Sequence, residues 1–315
     1  MARAEPPAAR SVWTAAPPGQ PQARVRLLGD AIVFACPGMR NTTQRHAATL
    51  LCSTDGQALQ ARCQGHTVQA PALLIAPMAC KTVDALDRPL LLIDLEPGHP
   101  HYRHFQALAA PGVQALQGAP CAALQDLGRA FAAGRLQGQA VDAQVREAVA
   151  AVAHQLPQPK PLDPRVRKLM CLLDEDPGAE LERLAPLLGL SAHHASRLFH
   201  QGLGLPLRRY ALSIKIRAAA SFMGSGLALT QIAQAAGFVD SAHFAKVWAQ
   251  NYGAAPSRFF DTANTHIDQT DQPDWLLWYL AQRDRDLPPP APGAQTPWVH
   301  RRRTPRTPRL RTAAP

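Results

Sequence analysis

Two stretches of this 315-residue chain echo one another. Residues 181–199 read LERLAPLLGLSAHHASRLF, and residues 229–248 read LTQIAQAAGFVDSAHFAKVW. In each, an alanine (Ala185, Ala233) stands four residues before a glycine (Gly189, Gly237), and an apolar residue (Leu190, Phe238) follows the glycine. Each stretch then closes on a cation and an aromatic, Arg197 with Phe199 and Lys246 with Trp248. A small residue lets two helices cross closely. A glycine ends the first helix in a left-handed conformation at little steric cost. The apolar residue after the turn plugs the space between the helices, and the second helix lies on the surface. That is a helix-turn-helix, and its second helix has the shape to enter a DNA major groove.

One such hairpin is weak evidence. Two, joined by the helical pattern PLRRYALSIKIRAAASFM, are much stronger. In that joining segment Tyr210, Ile214 and Ile216 are spaced to pack, while Arg208, Arg209, Lys215 and Arg217 line the polar side. On the first surface helix the outward positions are His193, Ser196 and Arg197; on the second they are Ser241, Ala242, His243 and Lys246. Small side chains, hydrogen-bonders and cations without a carboxylate suit a groove walled by phosphates. Arginine grips guanine O6 and N7 together, and an alanine can touch a thymine methyl. Arg208, Arg209, Lys215 and Arg217 are expected on backbone phosphates, which position a protein without reading sequence. His194 is expected to face packing or solvent.

Charge agrees with a polyanionic partner. The net charge is +10, and residues 164–262 hold eleven cations against seven acids. The end of the chain adds Arg301, Arg302, Arg303, Arg306, Arg309 and Arg311 with no acid from 288 onward. Such a tail supplies either salt-sensitive, non-specific affinity or plain solvation.

Residues 165–260 resemble the DNA-binding domain of the AraC/XylS family of bacterial transcription regulators. The resemblance rests on LAPLLGLSAHHASRLFH, GLGLPLRRY, IKIRAAASFM, LTQIAQAAGFVDSAHFAKVW and the closing NYGAAPSRFF, nearly a third of the chain. It implies that the outward positions of both surface helices face base edges. The chain departs from the family pattern in three places. Pro186 falls inside the first helix of the first motif, where a proline costs about 3 kcal/mol beyond the first turn, so that helix is expected to begin later. Lys215 and Phe260 stand where the family usually has arginine, which reads as lost phosphate or packing contacts.

The N-terminal half has another texture. Short apolar runs between breakers, ARVRLLGDAIVFA, HAATLLCS, ALLIAPMA and RPLLLIDL, read as strands of a small barrel or sandwich. Residues 101–156 are alanine-rich with helical spacing and read as two or three amphipathic helices. This half resembles, more loosely, the cupin-like sensing domain that many AraC/XylS members carry, followed by helices that often mediate dimerisation. The expected organisation is a disordered segment 1–21, a cupin-like effector-binding and dimerisation domain 22–155, and a Pro-rich linker 156–163. The AraC-type domain 164–262 follows, then an acidic segment and a Pro/Arg-rich disordered tail over 263–315, with DWLLWYLAQRD a candidate helix. The fold class is α+β, a small β-barrel with flanking helices joined to an all-α domain with two helix-turn-helix motifs and a linker helix.

An apolar effector pocket is expected inside the barrel, with Leu50, Cys52, Leu73, Ile75 and Met78 as candidate lining. A catalytic cupin needs a His-x-His pair with a further Glu and His, and the strands carry no such set. His46 and His66 stand alone, and His99, His101 and His104 lie where strands give way to helices. The expectation is therefore no metal, no cofactor and no enzyme. The six cysteines form no C-x-x-C pair and read as small buried hydrophobes, with a soft-metal or redox sensor of Cys52, Cys63 and Cys80 the alternative.

No apolar run reaches the ~18–20 residues of a membrane helix, and the first residues lack the apolar core of a secretory signal, so the expected location is the cytoplasm. The expected partners are double-stranded DNA, a small-molecule effector and a second copy through helices 101–156, with RNA polymerase a further candidate. Two other functions stay open from sequence: a cupin-type metalloenzyme with an attached DNA-binding domain, and a non-specific architectural DNA binder.

Overall fold

The computed structural model describes residues 11–268. Twelve strands and ten α-helices fall into two units joined by a segment without helix or strand, residues 157–163. The first unit contains β1 (Val12–Trp13), β2 (Ala23–Leu28), β3 (Ala31–Cys36), β4 (Met39–Gln44), β5 (Ala48–Ser53), β6 (Leu59–Cys63), β7 (His66–Ala70), β8 (Ala72–Ile75), β9 (Cys80–Ala85) and β10 (Leu90–Leu95). It continues through α1 (Tyr102–Phe105), β11 (Val113–Ala115), α2 (Ala119–Ala132) and α3 (Gln139–Ala153). One sheet has the order β1-β4-β9-β6-β7. The other has the order β11-β8-β5-β10-β3-β2, with β12 (Thr265–Ile267) from the end of the described chain at its edge. Every pairing is antiparallel except that of β12, which runs parallel to β2.

Sequence texture explains which strand goes where. β3, β5 and β10 are buried at all six positions. One side of each, such as Phe34, Leu51 and Leu92, faces the space between the sheets. The other side, such as Val33, Leu50 and Ile93, lies under α2 and α3. Strands covered on both faces read as continuous apolar runs, which made them legible in the sequence. β4 and β9 alternate, Met39, Asn41 and Thr43 inward with Arg40 and Gln44 outward. Their polar outer faces mask them, and together with β6 and β7 they are strands that the apolar runs do not reveal.

Two segments differ from expectation. Within 1–21, read as disordered, Val12–Trp13 pairs with Met39–Arg40. The Trp13 ring packs edge-on against Phe34 at 5.8 Å and Phe259 at 6.0 Å, and this contact gives the segment a reason to order. Within 101–156, Leu108 and Leu116 are buried but not helical. Pro111 and Gly112 interrupt the helical pattern there, and Val113–Ala115 extends the sheet beyond β8.

The second unit is helical: α4 (Pro164–Glu175), α5 (Leu181–Leu184), a 3-10 turn (Ala185–Leu188), α6 (Ala192–Leu203), α7 (Leu207–Ala220), α8 (Leu229–Ala235), α9 (Ser241–Tyr252) and α10 (Pro256–Phe260). Asp163 caps α4, accepting the Arg165 N–H at 2.8 Å, with Pro164 at the first helical position, where its missing N–H is not needed. Contrary to the later start expected from its sequence, Pro186 does not delay the first motif's helix. The helix begins at Leu181 and tightens into the 3-10 turn around the proline. A proline in the first turn of the new segment avoids the clash it makes in a helix interior. The segment DWLLWYLAQRD and the arginine-rich tail lie outside the described residues. Among the described residues no helix is long and apolar enough to cross a membrane.

Candidate nucleic-acid interface

The two motifs close with the same hydrogen bond. Leu190 N–H donates to the Ala185 carbonyl at 3.1 Å, and Phe238 N–H donates to the Ala233 carbonyl at 2.9 Å. Gly189 and Gly237 take φ of 66° and 75°, the left-handed region. Ala185 and Ala233 are both fully buried at the helix crossings. Each second helix is then capped: Ser191 Oγ accepts the His194 N–H at 3.3 Å, and Asp240 Oδ1 accepts the His243 N–H at 2.6 Å. Asp240 is an acid beside the outward face that the sequence pattern did not count. As the N-cap, its charge is directed at the positive helix terminus.

On α6, Ala195, Phe199 and Leu203 are buried one turn apart, with Phe199 edge-on to Tyr210 at 5.3 Å. His193, Ser196 and Arg197 are exposed together on the opposite side, and His194 is exposed as well. On α9, Phe244, Val247, Trp248, Asn251 and Tyr252 are buried. Ala242, His243 and Lys246 are exposed and Ser241 half-buried. The His243 ring leans edge-on against Phe238 at 5.6 Å, which restricts its direction. Val239, just before the cap, is 88 % exposed and was not singled out from sequence.

The four cations of the joining helix α7 separate into two kinds. Arg208 and Arg209 are exposed in its first turn. Arg217 is half-buried and pairs with Asp174 Oδ1 at 3.5 Å, an oxygen that also accepts the Tyr210 hydroxyl at 3.1 Å. Lys215 is half-buried, and burial lowers its pKa, with Asp176 opposing.

The five residues named as effector-pocket lining do not converge. Leu73 and Ile75 face between the sheets; Leu50 and Cys52 face α2 and α3; Met78 packs toward the first motif. A small enclosed cavity lies elsewhere, at the seam of the two units. It has a volume of about 20 Å³, lined on the barrel side by Trp13, Phe34, Met39, Arg45, Leu92 and Asp94. Met223, Tyr252 and Phe259 close it from the helical side. That is room for about one water. Arg45 and Asp94 form a buried ion pair within it, and Thr49 Oγ1 donates to Asp94 Oδ1 at 2.6 Å. Arg45 Nε, Thr43 Oγ1, the Tyr252 hydroxyl and Trp13 Nε1 are buried with no hydrogen-bond partner among the described residues.

Two more buried ionisable groups stand close by. Burial brings the Lys81 ammonium down to about 7, with Arg45 adding to the fall and Asp94 opposing. Burial pushes the Glu96 carboxyl up to about 7, with Arg217 opposing. Sequence reading passed over these groups because it sought an apolar lining. The available signal was phase: Lys81 sits at an inward position of alternating β9, and Asp94 interrupts the wholly apolar β10.

His99, His101 and His104 form a ladder with ring centroids 5.7 and 5.3 Å apart. His104 hydrogen-bonds Gln158 Oε1 at 3.2 Å and the His101 carbonyl at 3.3 Å. Among the described residues no group of three or more His, Cys, Asp or Glu is arranged to hold a metal ion. Cys36, Cys52 and Cys63 are buried and free; Cys80 and Cys171 are exposed. Cys52 faces α2 and α3 while Cys63 faces between the sheets, so the trio Cys52, Cys63 and Cys80 is split by the seven-stranded sheet.

Residues 184–262 match a family model described as a helix-turn-helix domain. Across both units the chain is similar to an apo single-site variant of ToxT from Vibrio cholerae, at 13% identity and a TM-score of 0.53, covering 76% of this chain and 99% of that one. A second ToxT structure from Vibrio cholerae aligns at 14% identity and a TM-score of 0.49, covering 78% and 97%. The C-terminal domain of AraT, a response regulator from Geobacillus stearothermophilus, aligns at 22% identity and a TM-score of 0.30, covering 36% of this chain and 94% of that one. No curated protein matches the sequence. The second unit thus carries a helix-turn-helix domain with two motifs in tandem, and the two-unit fold is one that this chain shares with the ToxT variant.

Proposed function

We propose that this chain is an AraC-type DNA-binding transcription regulator, that it reads two adjacent major-groove segments, and that a small molecule at the seam sets how readily it does so. His193, Ser196 and Arg197 on α6, and Ser241, Ala242, His243 and Lys246 on α9, meet base edges. Arg208 and Arg209 hold backbone phosphates. Lys215 and Arg217 add to that field from positions also tied into the protein. Two motifs about one helical turn (~34 Å) apart can lie on one side of a duplex.

The observation that carries effector control is the continuity of the core. The first motif has its own apolar cluster around Phe199 and Tyr210. The second motif does not: Phe244, Trp248, Tyr252 and Phe259 belong to the same cluster as Phe34, Leu51 and Leu73 inside the barrel. Whatever spreads the barrel at the seam therefore moves α9 relative to α6. Buried charges and unpartnered donors cost free energy unless something offsets them, and such groups gather at functional sites. A ligand larger than the present cavity has to open the seam to enter. It shifts the balance only by its difference in affinity for the closed and opened arrangements.

In the same reading the protein works in the cytoplasm beside the chromosome and carries no catalytic step. Two copies meet through α2 and α3, and the DNA-bound form meets RNA polymerase. The experiment is selection of duplexes from a random pool with the full chain and with Arg197→Ala. A bipartite enriched site, relaxed in one half by the substitution, supports the reading. Binding that fades with salt and enriches no sequence sinks it. For the seam, Leu92→Trp fills the cavity. Small molecules that raise the melting temperature of the parent should then have no effect on the variant.

A further inference from the structure

The helical unit is fastened to the barrel a second time, after its last helix. Beyond α10 the chain turns on Asp261, whose carbonyl accepts the N–H groups of Asn264 at 3.0 Å and Thr265 at 2.9 Å. β12 then lies parallel to β2 in the register Thr265 to Ala23, His266 to Arg24 and Ile267 to Val25. The Ala23 N–H donates to the Asn264 carbonyl at 3.1 Å, and the Asp268 N–H donates to the Val25 carbonyl at 2.7 Å. The strand ends in a buried polar clasp. The Asp268 carboxylate accepts the Gly138 N–H at 3.0 and 3.3 Å, and its carbonyl accepts Arg26 Nη1 at 3.0 Å. Arg26 also grips Asp142 with two bonds, of 2.9 and 2.8 Å. Thr265 and Asp268 are 4 % and 8 % exposed. On its other side Ile267 lies against the turn between α7 and α8, where a Cβ on Gly224 would stand 3.4 Å from Ile267 Cγ1.

We infer that residues 261–268 are an intramolecular latch that holds the second helix-turn-helix motif closed on the barrel and restrains DNA binding. This rests on the two-groove reading above. Three features suit a latch better than a permanent joint. The pairing is three residues long and parallel, the less stable ladder type. It sits at a sheet edge, where a strand can leave without breaking any other pairing. It touches all three bodies that have to move together, β2 of the barrel, the start of α3 and the α7–α8 turn. With the latch engaged, the second motif is tied at the seam and at its C-terminal exit. The first motif packs on α7 in a core of its own rather than in the core of the second motif. Seating both recognition helices in one duplex then competes with the latch.

The test compares three forms on the enriched duplex: the full chain, a chain ending at Asp268 and a chain ending at Thr262. The middle form removes the arginine-rich tail but keeps the latch, so the last two differ by the latch alone. The chain ending at Thr262 should bind at least five-fold tighter than the one ending at Asp268; equal or weaker binding by a folded protein overturns the latch. Because that truncation could unfold the barrel edge, a second variant keeps the whole chain. Val25→Cys with Ile267→Cys joins register partners. Oxidation should lower affinity at least five-fold and reductant should restore it. Affinity that ignores oxidation, once the bond is verified by mass, overturns the proposal. If no form, the full chain included, prefers the enriched duplex to a scrambled one, the two-groove reading itself fails and the latch with it.

Discussion

Tyr252, in the last turn of the second recognition helix, lies beneath the guanidinium of Arg45 in the barrel, 5.6 Å from ring centroid to Cζ. The same guanidinium pairs with Asp94 inside the barrel. Trp248 packs against two other aromatic rings of the seam, tilted on Tyr252 at 4.5 Å and edge-on to Phe259 at 5.7 Å. Around them, Asn41 Nδ2 reaches the Tyr252 carbonyl at 3.5 Å, and the His46 N–H donates to Asn251 Oδ1 at 3.2 Å. The helix that exposes its first turns on the surface roofs the barrel with its last.

The Arg45–Asp94 pair should show the asymmetry of a buried ion pair. Arg45→Met strands a buried carboxylate and should cost about 3–5 kcal/mol. Arg45→Met with Asp94→Leu removes both charges and should regain most of it. Urea unfolding of the three proteins checks this. A double variant no more stable than the single one would refute the pairing.

Gly253 should tolerate alanine worse than Gly189, although both have left-handed backbones. At Gly253, φ is +78° and a Cβ would stand 2.9 Å from both Asn41 Nδ2 and Thr43 Cγ2 of β4. At Gly189, φ is +66° and nothing lies within 4 Å. Gly189→Ala then costs the backbone strain alone, about 1–2 kcal/mol, while Gly253→Ala adds displacement of α9 from the barrel. Equal melting temperatures for the two variants would contradict the seam contact.

Glu96 makes stability fall as pH rises. Its folded pKa, about 7, lies above the ordinary 4.5 because burial disfavours the carboxylate. Between those values the native state holds a proton that the unfolded chain has lost, so stability drops across that window. His46 works the other way. Burial lowers its pKa to about 4 from 6.5, and Arg209 adds to the fall. Its contribution rises across its own window, which overlaps that of Glu96 up to 6.5 and leaves Glu96 alone from there to about 7. Glu96→Gln should therefore gain on the parent as pH goes from 5 to 8, as measured by urea midpoints. A pH-independent difference would show that the carboxyl ionises freely.

Readout should divide between the two motifs. Arg197→Ala should cost about 1–3 kcal/mol of base discrimination in one half of the site only. Val239, exposed one residue before the α9 cap, is expected to add an apolar contact that the outward stripe did not include. Replacing thymine by deoxyuridine in the other half should weaken the parent about four-fold, the worth of one methyl at ~0.8 kcal/mol. It should leave Val239→Ser unchanged. Identical losses in both proteins would remove Val239 from the interface.

The motifs were legible because their determinants are local. Ala185 with Gly189 and Leu190, and Ala233 with Gly237 and Phe238, each close one turn within six residues, and helical period exposes the outward faces. The start of α4 was legible too, from the Pro-rich linker before it. The both-faces-buried strands announced themselves as apolar runs. The half-polar strands β4, β6, β7 and β9 did not, since Arg40, Thr42 and Gln44 on an outer face look like loop.

Sequence by itself determined the domain type and the outward faces of α6 and α9, with Arg197 and Lys246 on them, because spacing within a helix sets which side chains share a face. Tertiary structure alone decided where a ligand could act and what restrains the protein. The seam cavity brings Trp13, Arg45, Asp94, Tyr252 and Phe259 together from five separated segments. The latch pairs residue 267 with residue 25. Contacts across more than two hundred residues depend on how two apolar cores merge, and no local period encodes that.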